Sequence, residues 1–224
     1  MECGGNEKKK LVLIGNGMAG IWCIEQLLKL NPNQYDITVF GEEPHPNYNR
    51  ILLSKVLAGD SDMNDIILNS WEWYREKQYY TSYRTLCKKK LTRNKKTVTS
   101  DGDITVSYDE LIFFATGSLP IMLPLPGADK EGVIAFRDIK DCEAMLAAAK
   151  EYKKAIVIGG GLLGLEAARG LLNLNMEVSV VHLAPYLMER QLDATASRML
   201  QQELEKSRHE VFFDGEKNSA EIFR

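Results

Sequence analysis

The feature that most constrains the fold of this chain is a pattern that occurs twice: an apolar run, a glycine cluster, a stretch with helical spacing and a second apolar run. The first copy runs from LVLI at 11–14 to ITVF at 37–40, and the second runs from AIVI at 155–158 to VSVV at 178–181. Each copy predicts a βαβ unit. Two copies predict an α/β protein with two tandem Rossmann-like dinucleotide-binding domains, each doubly wound and three-layered.

The stretch 119–127 is rich in proline and is the best candidate for a linker between the two domains. We therefore predict a first domain over 1–119 and a second over 120–224. The second copy shows too few strands for a complete doubly wound sheet, so we predict that the second domain is truncated. The remaining pattern predicts helices over 51–58, 71–77, 138–150 and 193–206, a hairpin over 97–108 and a buried strand over 111–115.

The composition is that of an ordinary globular protein and argues against several classes of partner. Of the 224 residues, 45% are hydrophobic and 26% are charged, and the net charge is -3. This charge gives no broad attraction to nucleic acid or to an anionic membrane surface. No apolar run reaches the roughly 18 residues of a membrane span, and the first residues lack the apolar core of a secretory signal. We expect a cytoplasmic protein.

The four cysteines do not predict a metal site, since no two of them form a close pair in the sequence. A zinc site, a Cys-x-x-Cys redox disulfide and a self-contained iron–sulfur cluster are therefore not expected. Scattered thiols in a cytoplasmic chain are expected to be reduced and structural. The four are Cys3, Cys23, Cys87 and Cys142.

The first glycine cluster is a full G-x-G-x-x-G pattern between a predicted strand and a predicted helix. Gly15 permits the tight turn, Gly17 lets the backbone approach a pyrophosphate, and Gly20 lets the helix pack on the strand. Met18 and Ala19 lie at the helix N-terminus, where free amides and the positive end of the dipole receive an anion. The cluster predicts a dinucleotide site.

An acidic residue about 22 residues further on would complete this site by binding a ribose hydroxyl. Glu42 and Glu43 both stand just past the second strand. The sequence does not choose between them, although we prefer Glu43 slightly. The alternative is that both are solvated loop carboxylates.

The second glycine cluster has Gly159, Gly161 and Gly164 in the same three places, with Leu162 and Leu163 between the last two. It predicts a second dinucleotide site, because two copies in one chain rarely arise from packing alone. Two such sites in series suggest hydride transfer from NAD(P)H to FAD, with the protein positioning the two rings.

The acid expected after the second strand of this copy is absent. His182 stands where a ribose-binding glutamate would be, and it could equally be a plain strand-end histidine. No arginine pair follows directly to hold a 2′-phosphate, although Arg190 is near. The choice between NADH and NADPH therefore stays open, with a lean towards NADH.

Five segments together resemble the flavoprotein reductases that carry two dinucleotide folds. They are LVLIGNGMAG, YDELIFFATGSLP, AIVIGGGLLGLEAARGLL, HPNYNRILLS and VVHLAPYLMERQLD. The last two narrow the resemblance to the N-terminal part of the large subunit of bacterial assimilatory NAD(P)H-dependent nitrite reductases. The resemblance covers most of residues 9–208.

The resemblance implies roles for further residues on the flavin side. It implies that Arg50 and Lys55 approach the phosphates and the flavin ring. It also implies that Ala115, Thr116 and Gly117 form a second turn that contacts the flavin. For Thr116 the alternative is that it only ends a strand.

The resemblance further implies that Glu166 pairs with Lys55 beside the flavin. A lysine near the N5 edge stabilises negative charge on the reduced ring, and a carboxylate fixes its position. These two residues are therefore the candidate catalytic pair. The alternative is that both are ordinary surface charges.

Residues 79–91 depart from the family, which has an apolar strand there. Lys88, Lys89 and Lys90 fit such a strand poorly, because burying lysine is costly. Since both flanks match, we hypothesise that this stretch is read out of frame through two compensating insertions or deletions. Resequencing the gene tests this hypothesis.

The resemblance implies modules beyond residue 224. They are the rest of the nicotinamide domain, a returning flavin segment, and the iron–sulfur and sirohaem centres where nitrite is reduced to ammonia. It also implies a small nitrite reductase subunit as a partner and admits a homodimer.

Three functions follow from these expectations. The first is the flavoprotein portion of a nitrite reductase, which passes electrons from NAD(P)H through FAD. The second is a truncated, non-catalytic remnant that holds FAD weakly. The third is a reductase of a ferredoxin- or rubredoxin-type carrier. The motifs favour the first for the gene family and the second for the isolated chain.

Overall fold

A computed structural model of the chain describes residues 7–77, 80–82, 90–100, 104–112, 115–206 and 209–213. The chain divides into two compact units, one over 1–49 and 66–119 and the other over 50–65 and 120–224. Along the chain the strands and helices are β1 (Lys9–Ile14), α1 (Met18–Leu30), β2 (Tyr35–Phe40), α2 (Leu53–Leu57), α3 (Trp71–Glu76), β3 (Tyr80–Ser82), β4 (Lys90–Thr92), β5 (Thr97–Thr99), β6 (Thr105–Ser107), β7 (Glu110–Ile112), α4 (Ile139–Glu151), β8 (Lys154–Ile158), α5 (Leu162–Asn173), β9 (Glu177–His182), α6 (Ala194–Lys206) and β10 (His209–Phe213).

The first unit is built on a parallel sheet with the strand order β3-β2-β1-β7. The central strand β1 is buried on both faces, which explains why its sequence is a continuous apolar run rather than an alternating one. Leu11 and Leu13 pack with Ile21 and Ile24 of α1 on one face. The intervening residues of β1 pack with Val98 on the other face. Val98 belongs to β5, the middle strand of an antiparallel sheet with the order β4-β5-β6.

The second unit contains a parallel sheet with the order β10-β9-β8. The strand β8 alternates between exposed and half-buried residues, and Ile156 and Ile158 are 43% and 50% exposed. Within the described residues β8 pairs only with β9. The sheets of the two units confirm the predicted α/β class with Rossmann-like βαβ order.

Residues 50–65 group with the second unit, whereas the sequence predicts them in the first domain. The reason lies in the packing of α2 on α5. A Cβ added to Gly170 would lie 2.6 Å from Cγ of Leu57, so the absence of a side chain lets the two helices approach. Asn173, one turn further along α5, donates a 3.0 Å hydrogen bond from Nδ2 to the carbonyl oxygen of Ala58.

Most of the other predicted elements are found close to their expected bounds. The prediction of a buried strand over 111–115 is wrong in its burial: the strand is β7 (Glu110–Ile112), in which the first residue is exposed and the other two are half buried, and residues 113 and 114 lie outside the described residues. The helix predicted over 71–77 is α3, and its cap is Ser70, whose hydroxyl accepts a hydrogen bond from the Trp73 amide. The predicted hairpin has β5 and β6 as its strands, but its turn at 101–103 lies outside the described residues. The same holds for most of 79–91, where the described parts are β3 and the start of β4. The hypothesis of a shifted reading frame stays a prediction.

Candidate functional site

The first glycine turn joins β1 to α1, and it contacts the end of β2 and residue Ala115. Gly15 adopts φ +113°, a conformation that favours glycine, and its amide donates a 2.8 Å hydrogen bond to the Phe40 carbonyl. A Cβ on Gly15 would overlap the carbonyl oxygen of Ala115, and one on Gly20 would lie 2.7 Å from the Ala115 Cβ. Two of the three glycines are therefore required by close packing.

Gly17 differs from these two glycines because it faces open space. It is the N-cap of α1, and a Cβ placed on it would meet no atom within 4 Å. The first intrahelical hydrogen bond runs from Ile21 to Gly17, so the amides of Met18, Ala19 and Gly20 have no carbonyl partner within the helix. Gly17 has no side chain with which to cap this end, and the first turn of α1 holds no acidic residue. These features fit a diphosphate group.

Asn16, between the first two glycines, is fixed by its side chain. Its Nδ2 donates a 3.2 Å hydrogen bond to the His45 carbonyl, and its Oδ1 accepts a 2.7 Å bond from the Tyr74 hydroxyl. The same hydroxyl accepts a 3.2 Å bond from the Asn47 amide. Burial raises the pKa of Tyr74 to about 12, so the hydroxyl keeps its proton and remains a donor to Asn16.

The two carboxylates proposed for the adenosine ribose are in different environments. Glu42 is exposed. Glu43 is half buried, and its Oε2 accepts a 2.6 Å hydrogen bond from the Tyr48 hydroxyl. The structure thus holds Glu43 in place, while the ribose-binding role of either residue stays a prediction.

The turn predicted over 115–117 combines one packed residue with two exposed ones. Ala115 lies against the first glycine turn. Thr116 and Gly117 are exposed, and Gly117 has φ +71°. This places a second backbone turn of the first unit beside Gly15 and Gly20.

Arg50, Lys55 and Glu166 all belong to the second unit. Arg50 donates a 2.7 Å hydrogen bond from Nη1 to the Arg137 carbonyl. Lys55 on α2 and Glu166 on α5 are both exposed. Glu166 precedes Gly170 by one helical turn, so it shares the face of α5 that packs on α2. Among the described residues no ion pair joins Lys55 to Glu166.

The second glycine turn repeats the geometry of the first. Gly159 has φ +115°, and its amide donates a 2.8 Å hydrogen bond to the Val181 carbonyl. A Cβ on Gly164 would overlap the Gly159 carbonyl oxygen, whereas one on Gly161 would meet nothing within 4 Å. Gly161 is the N-cap of α5, again without a side-chain cap or an acidic first turn.

The next two residues of α5, Leu162 and Leu163, are about half exposed, at 52% and 54%. The amides of these residues and of Gly164 precede the first intrahelical bond, which runs from Leu165 to Gly161. The end of α5 therefore fits a diphosphate by the same criteria as the end of α1.

His182 is buried at the end of β9 and contacts the second glycine turn. Its Nδ1 accepts a 3.0 Å hydrogen bond from the Gly160 amide, and its Nε2 lies 3.1 Å from Oε2 of Glu189. Arg190, the nearby cation, is exposed. Both ring nitrogens of His182 therefore have protein partners, and a direct bond to a ribose would replace one of them.

Three residues of these sites were missed by the sequence prediction. Asn16 and Tyr74 lie 58 positions apart, and only the position of Asn16 inside a glycine cluster hinted at a role. Glu189 is one of two acidic residues in the loop 183–193, and nothing in the sequence connects it to His182.

The described residues offer neither a metal site nor a membrane span. No group of three or more His, Cys, Asp or Glu side chains there could hold a metal ion. Among the helices of the described ranges, none combines the length and the hydrophobicity of a bilayer-spanning segment. The two cysteines within those ranges are free thiols, and burial raises the pKa of Cys142 to about 11.

Comparison with known proteins identifies relatives of nearly the whole chain. The sequence profile of the pyridine nucleotide-disulphide oxidoreductase family matches residues 9–215. A nitrite reductase [NAD(P)H] of Bacillus subtilis (strain 168) is 65% identical over 201 residues, which are 89% of this chain and 24% of that protein. The assimilatory nitrate reductase electron transfer subunit of the same organism is 54% identical over 200 residues, 89% of this chain and 26% of that protein. The chain thus spans about a quarter of the length of these relatives.

A solved structure shares the fold. The NADH:rubredoxin oxidoreductase of Clostridium acetobutylicum superposes with a TM-score of 0.84 at 24% identity, over 97% of this chain and 56% of that chain. At this identity the similarity shows the fold alone.

Proposed function

The chain belongs to the pyridine nucleotide-disulphide oxidoreductase family, and from that premise we propose that it is the NAD(P)H- and FAD-binding part of a nitrite reductase. In this role it passes electrons from NAD(P)H through FAD towards iron–sulfur and sirohaem centres elsewhere in the protein. The observation that carries the proposal is the pair of matching glycine turns. Each ends at a helix N-terminus that is open at the middle glycine, at Gly17 and at Gly161.

The cofactors that suit the two turns are FAD and NAD(P)H. When both are bound, the nicotinamide supplies a hydride to the flavin, and the reduced flavin supplies electrons to further centres. The first turn would hold the FAD diphosphate through amides of Met18 and Ala19, and Glu43 or Glu42 would bind the adenosine ribose. The second turn would hold the NAD(P)H diphosphate through amides of Leu162 and Leu163.

We assign the candidate catalytic role to Lys55 and Glu166. The packing of α2 on α5 supports this assignment, because Glu166 shares the face of α5 that contains Gly170 and Asn173. Lys55 would stabilise negative charge on a reduced flavin, and Glu166 would orient the ammonium group. Arg50 and the 115–117 turn would complete the flavin contacts.

We also propose that the two units are tandem dinucleotide-binding domains, with a boundary near residue 119 and with 50–65 joined to the second. The second would be truncated, with an incomplete sheet. Two observations on β8 support this proposal: Ile156 and Ile158 are about half exposed, and within the described residues the strand pairs only with β9. Large apolar residues are uncommon on an exposed edge strand.

The partners follow from the same assignment. A small nitrite reductase subunit and a second copy of the chain are the macromolecular partners that we propose. A cytoplasmic location stays a prediction from the sequence.

The two other functions are less well supported. A reductase of a ferredoxin- or rubredoxin-type carrier would share the fold, but the high identities are to a nitrite reductase and a nitrate assimilation subunit. A remnant without cofactors is disfavoured by the open geometry at both turns.

The proposal is tested by purifying the chain with added FAD and mixing it with NADH in the absence of oxygen. We expect the flavin absorbance at about 450 nm to disappear, and the reduced protein to pass its electrons to an artificial dye. A protein that holds FAD but leaves it oxidised with both NADH and NADPH would contradict the proposed function.

A further inference from the structure

The adenosine ribose of a bound nicotinamide dinucleotide needs an acceptor near the end of β9, and the strand itself supplies none. In this class of fold an acidic residue at the strand end takes the 2′-hydroxyl. Here the strand ends with His182, whose side chain is only 9% exposed. Its Nδ1 accepts the hydrogen bond from the Gly160 amide, so this nitrogen carries no proton. Nε2 therefore bears the proton and donates it to Glu189.

The two turns are packed in opposite ways. At the first, the residue of the turn carries the side chain and the residue after the strand is a glycine; at the second, the turn residue is the glycine. At the first turn Asn16 fills the space beside Gly41, whose added Cβ would lie 2.8 Å from the Asn16 Cβ. At the second turn Gly160 has no side chain, and the ring of His182 occupies the space instead. The Cγ atom of His182 lies 3.0 Å from where a Cβ on Gly160 would stand. The side chain of His182 therefore packs against the second glycine turn and supports it.

The loop that carries Glu189 is fastened to the same glycine. The Met188 amide donates a 3.0 Å hydrogen bond to the Gly160 carbonyl. Leu187 is fully buried, and a Cβ on Gly160 would overlap its Cδ2. Glu189 follows directly and is 37% exposed. One carboxylate oxygen is held by His182, and the other has no protein partner within the described residues.

We propose that Glu189 is the carboxylate that meets the adenosine ribose at the second turn and that it selects NADH over NADPH, with His182 as its positioning residue. This inference rests on the proposed function. A carboxylate accepts a hydrogen bond from the 2′-hydroxyl of NADH. It repels the 2′-phosphate of NADPH, because like charges brought together in a binding site are costly. Arg190 is the competing group, since a cation beside the ribose would favour the phosphate.

The test is the ratio of the dissociation constants for NADPH and NADH, measured on the FAD-loaded chain and its variants. We expect the wild-type chain to bind NADH more tightly. Glu189→Gln should lower the ratio of the NADPH dissociation constant to the NADH dissociation constant by about tenfold. The change removes a like-charge repulsion and keeps the shape of the side chain. Glu177→Gln is the matched control: Glu177 lies at the opposite end of β9, pairs with Lys154 at 3.5 Å, and should leave the ratio unchanged.

Two substitutions of His182 separate positioning from general support. His182→Asn keeps an oxygen that can accept from the Gly160 amide but loses the bond to Glu189, so the ratio should fall while NADH still binds. His182→Ala should lower the ratio and also weaken the binding of both nucleotides. Equal ratios in wild type, Glu189→Gln and His182→Asn would overturn the assignment.

A wild-type preference for NADPH that Arg190→Ala abolishes would also overturn it. These outcomes are distinct from failure of the proposed function. A chain that holds FAD but binds neither nucleotide would remove the second site itself, and with it the role of Glu189.

Discussion

The hydroxyl of Tyr74 donates a 2.7 Å hydrogen bond to Oδ1 of Asn16, and through it α3 is connected to the first glycine turn. Asn47, which donates its amide to the same hydroxyl, is itself bound through Nδ2 to Asn69 at 2.9 Å. Asn69 in turn donates a 2.7 Å bond to Glu25 on α1. This polar network holds the first glycine turn in place, because buried polar groups are costly unless they are paired.

Replacing Tyr74 with phenylalanine should therefore destabilise the first unit. The change removes the donor to Asn16 and the acceptor for the Asn47 amide, and we expect the free energy of unfolding to fall by about 1–3 kcal/mol. Urea unfolding measures this. Tyr35→Phe is the control, since within the described residues that hydroxyl accepts only an exposed 3.2 Å bond from Gln34; an equal loss in both variants would contradict the role of the network.

The raised pKa of Tyr74 predicts a loss of stability in alkali. Its pKa is about 12 in the folded chain against an ordinary value of 10.0, so the folded state holds the proton more tightly than the unfolded state. Stability from this group is complete below about pH 10 and is lost as the pH rises towards about 12. Unfolding titrations over this range should show a weaker pH dependence in Tyr74→Phe than in wild type; parallel curves would show that the hydroxyl is not the group responsible.

The open position of Gly161 predicts a selective loss of nicotinamide binding in Gly161→Val. The residue has φ -87° and ψ -174°, which valine adopts readily, and its added Cβ meets no atom within 4 Å. The variant should fold and keep FAD, yet NADH should no longer bleach the flavin, since the valine occupies the place of the diphosphate. If NADH reduces the flavin of the variant at the wild-type rate, the nucleotide binds elsewhere.

Substitution of Lys55 should affect the reaction more than the binding of flavin. If Lys55 stabilises charge on the reduced ring, Lys55→Ala slows flavin reduction by about 10- to 100-fold while FAD affinity changes little. Stopped-flow reduction by NADH and FAD titration measure the two effects. Lys29→Ala, at the exposed end of α1, serves as the control. Equal losses in rate and affinity would mean that Lys55 only binds the cofactor.

The elements of the fold that the sequence predicts well are those determined by neighbouring residues. The run LVLI predicts β1 because both of its faces are buried, and Gly15 and Gly159 mark turns because their positive φ angles favour glycine. The apolar residues after each cluster recur at helical spacing, and this spacing predicts α1 and α5. Local sequence is sufficient where local geometry decides the structure.

Contacts between distant positions could not be predicted in this way. The assignment of 50–65 to the second unit depends on Leu57 packing against Gly170, and neither residue is distinctive alone. The same holds for Tyr74 with Asn16. His182 was recognised as the residue at the strand end, but its bond to Glu189 depends on a loop path that only the folded chain reveals.

The most direct test of the central claim, that the first glycine turn holds a diphosphate, is the flavin content of wild type and of Gly17→Val. Gly17 has φ -89° and open space beside it, so valine should not disturb the fold. We predict stoichiometric FAD in the wild-type chain and none in the variant, with the same thermal unfolding of the two apoproteins. Equal flavin content in both, or a wild-type chain that FAD cannot reconstitute, would contradict the account.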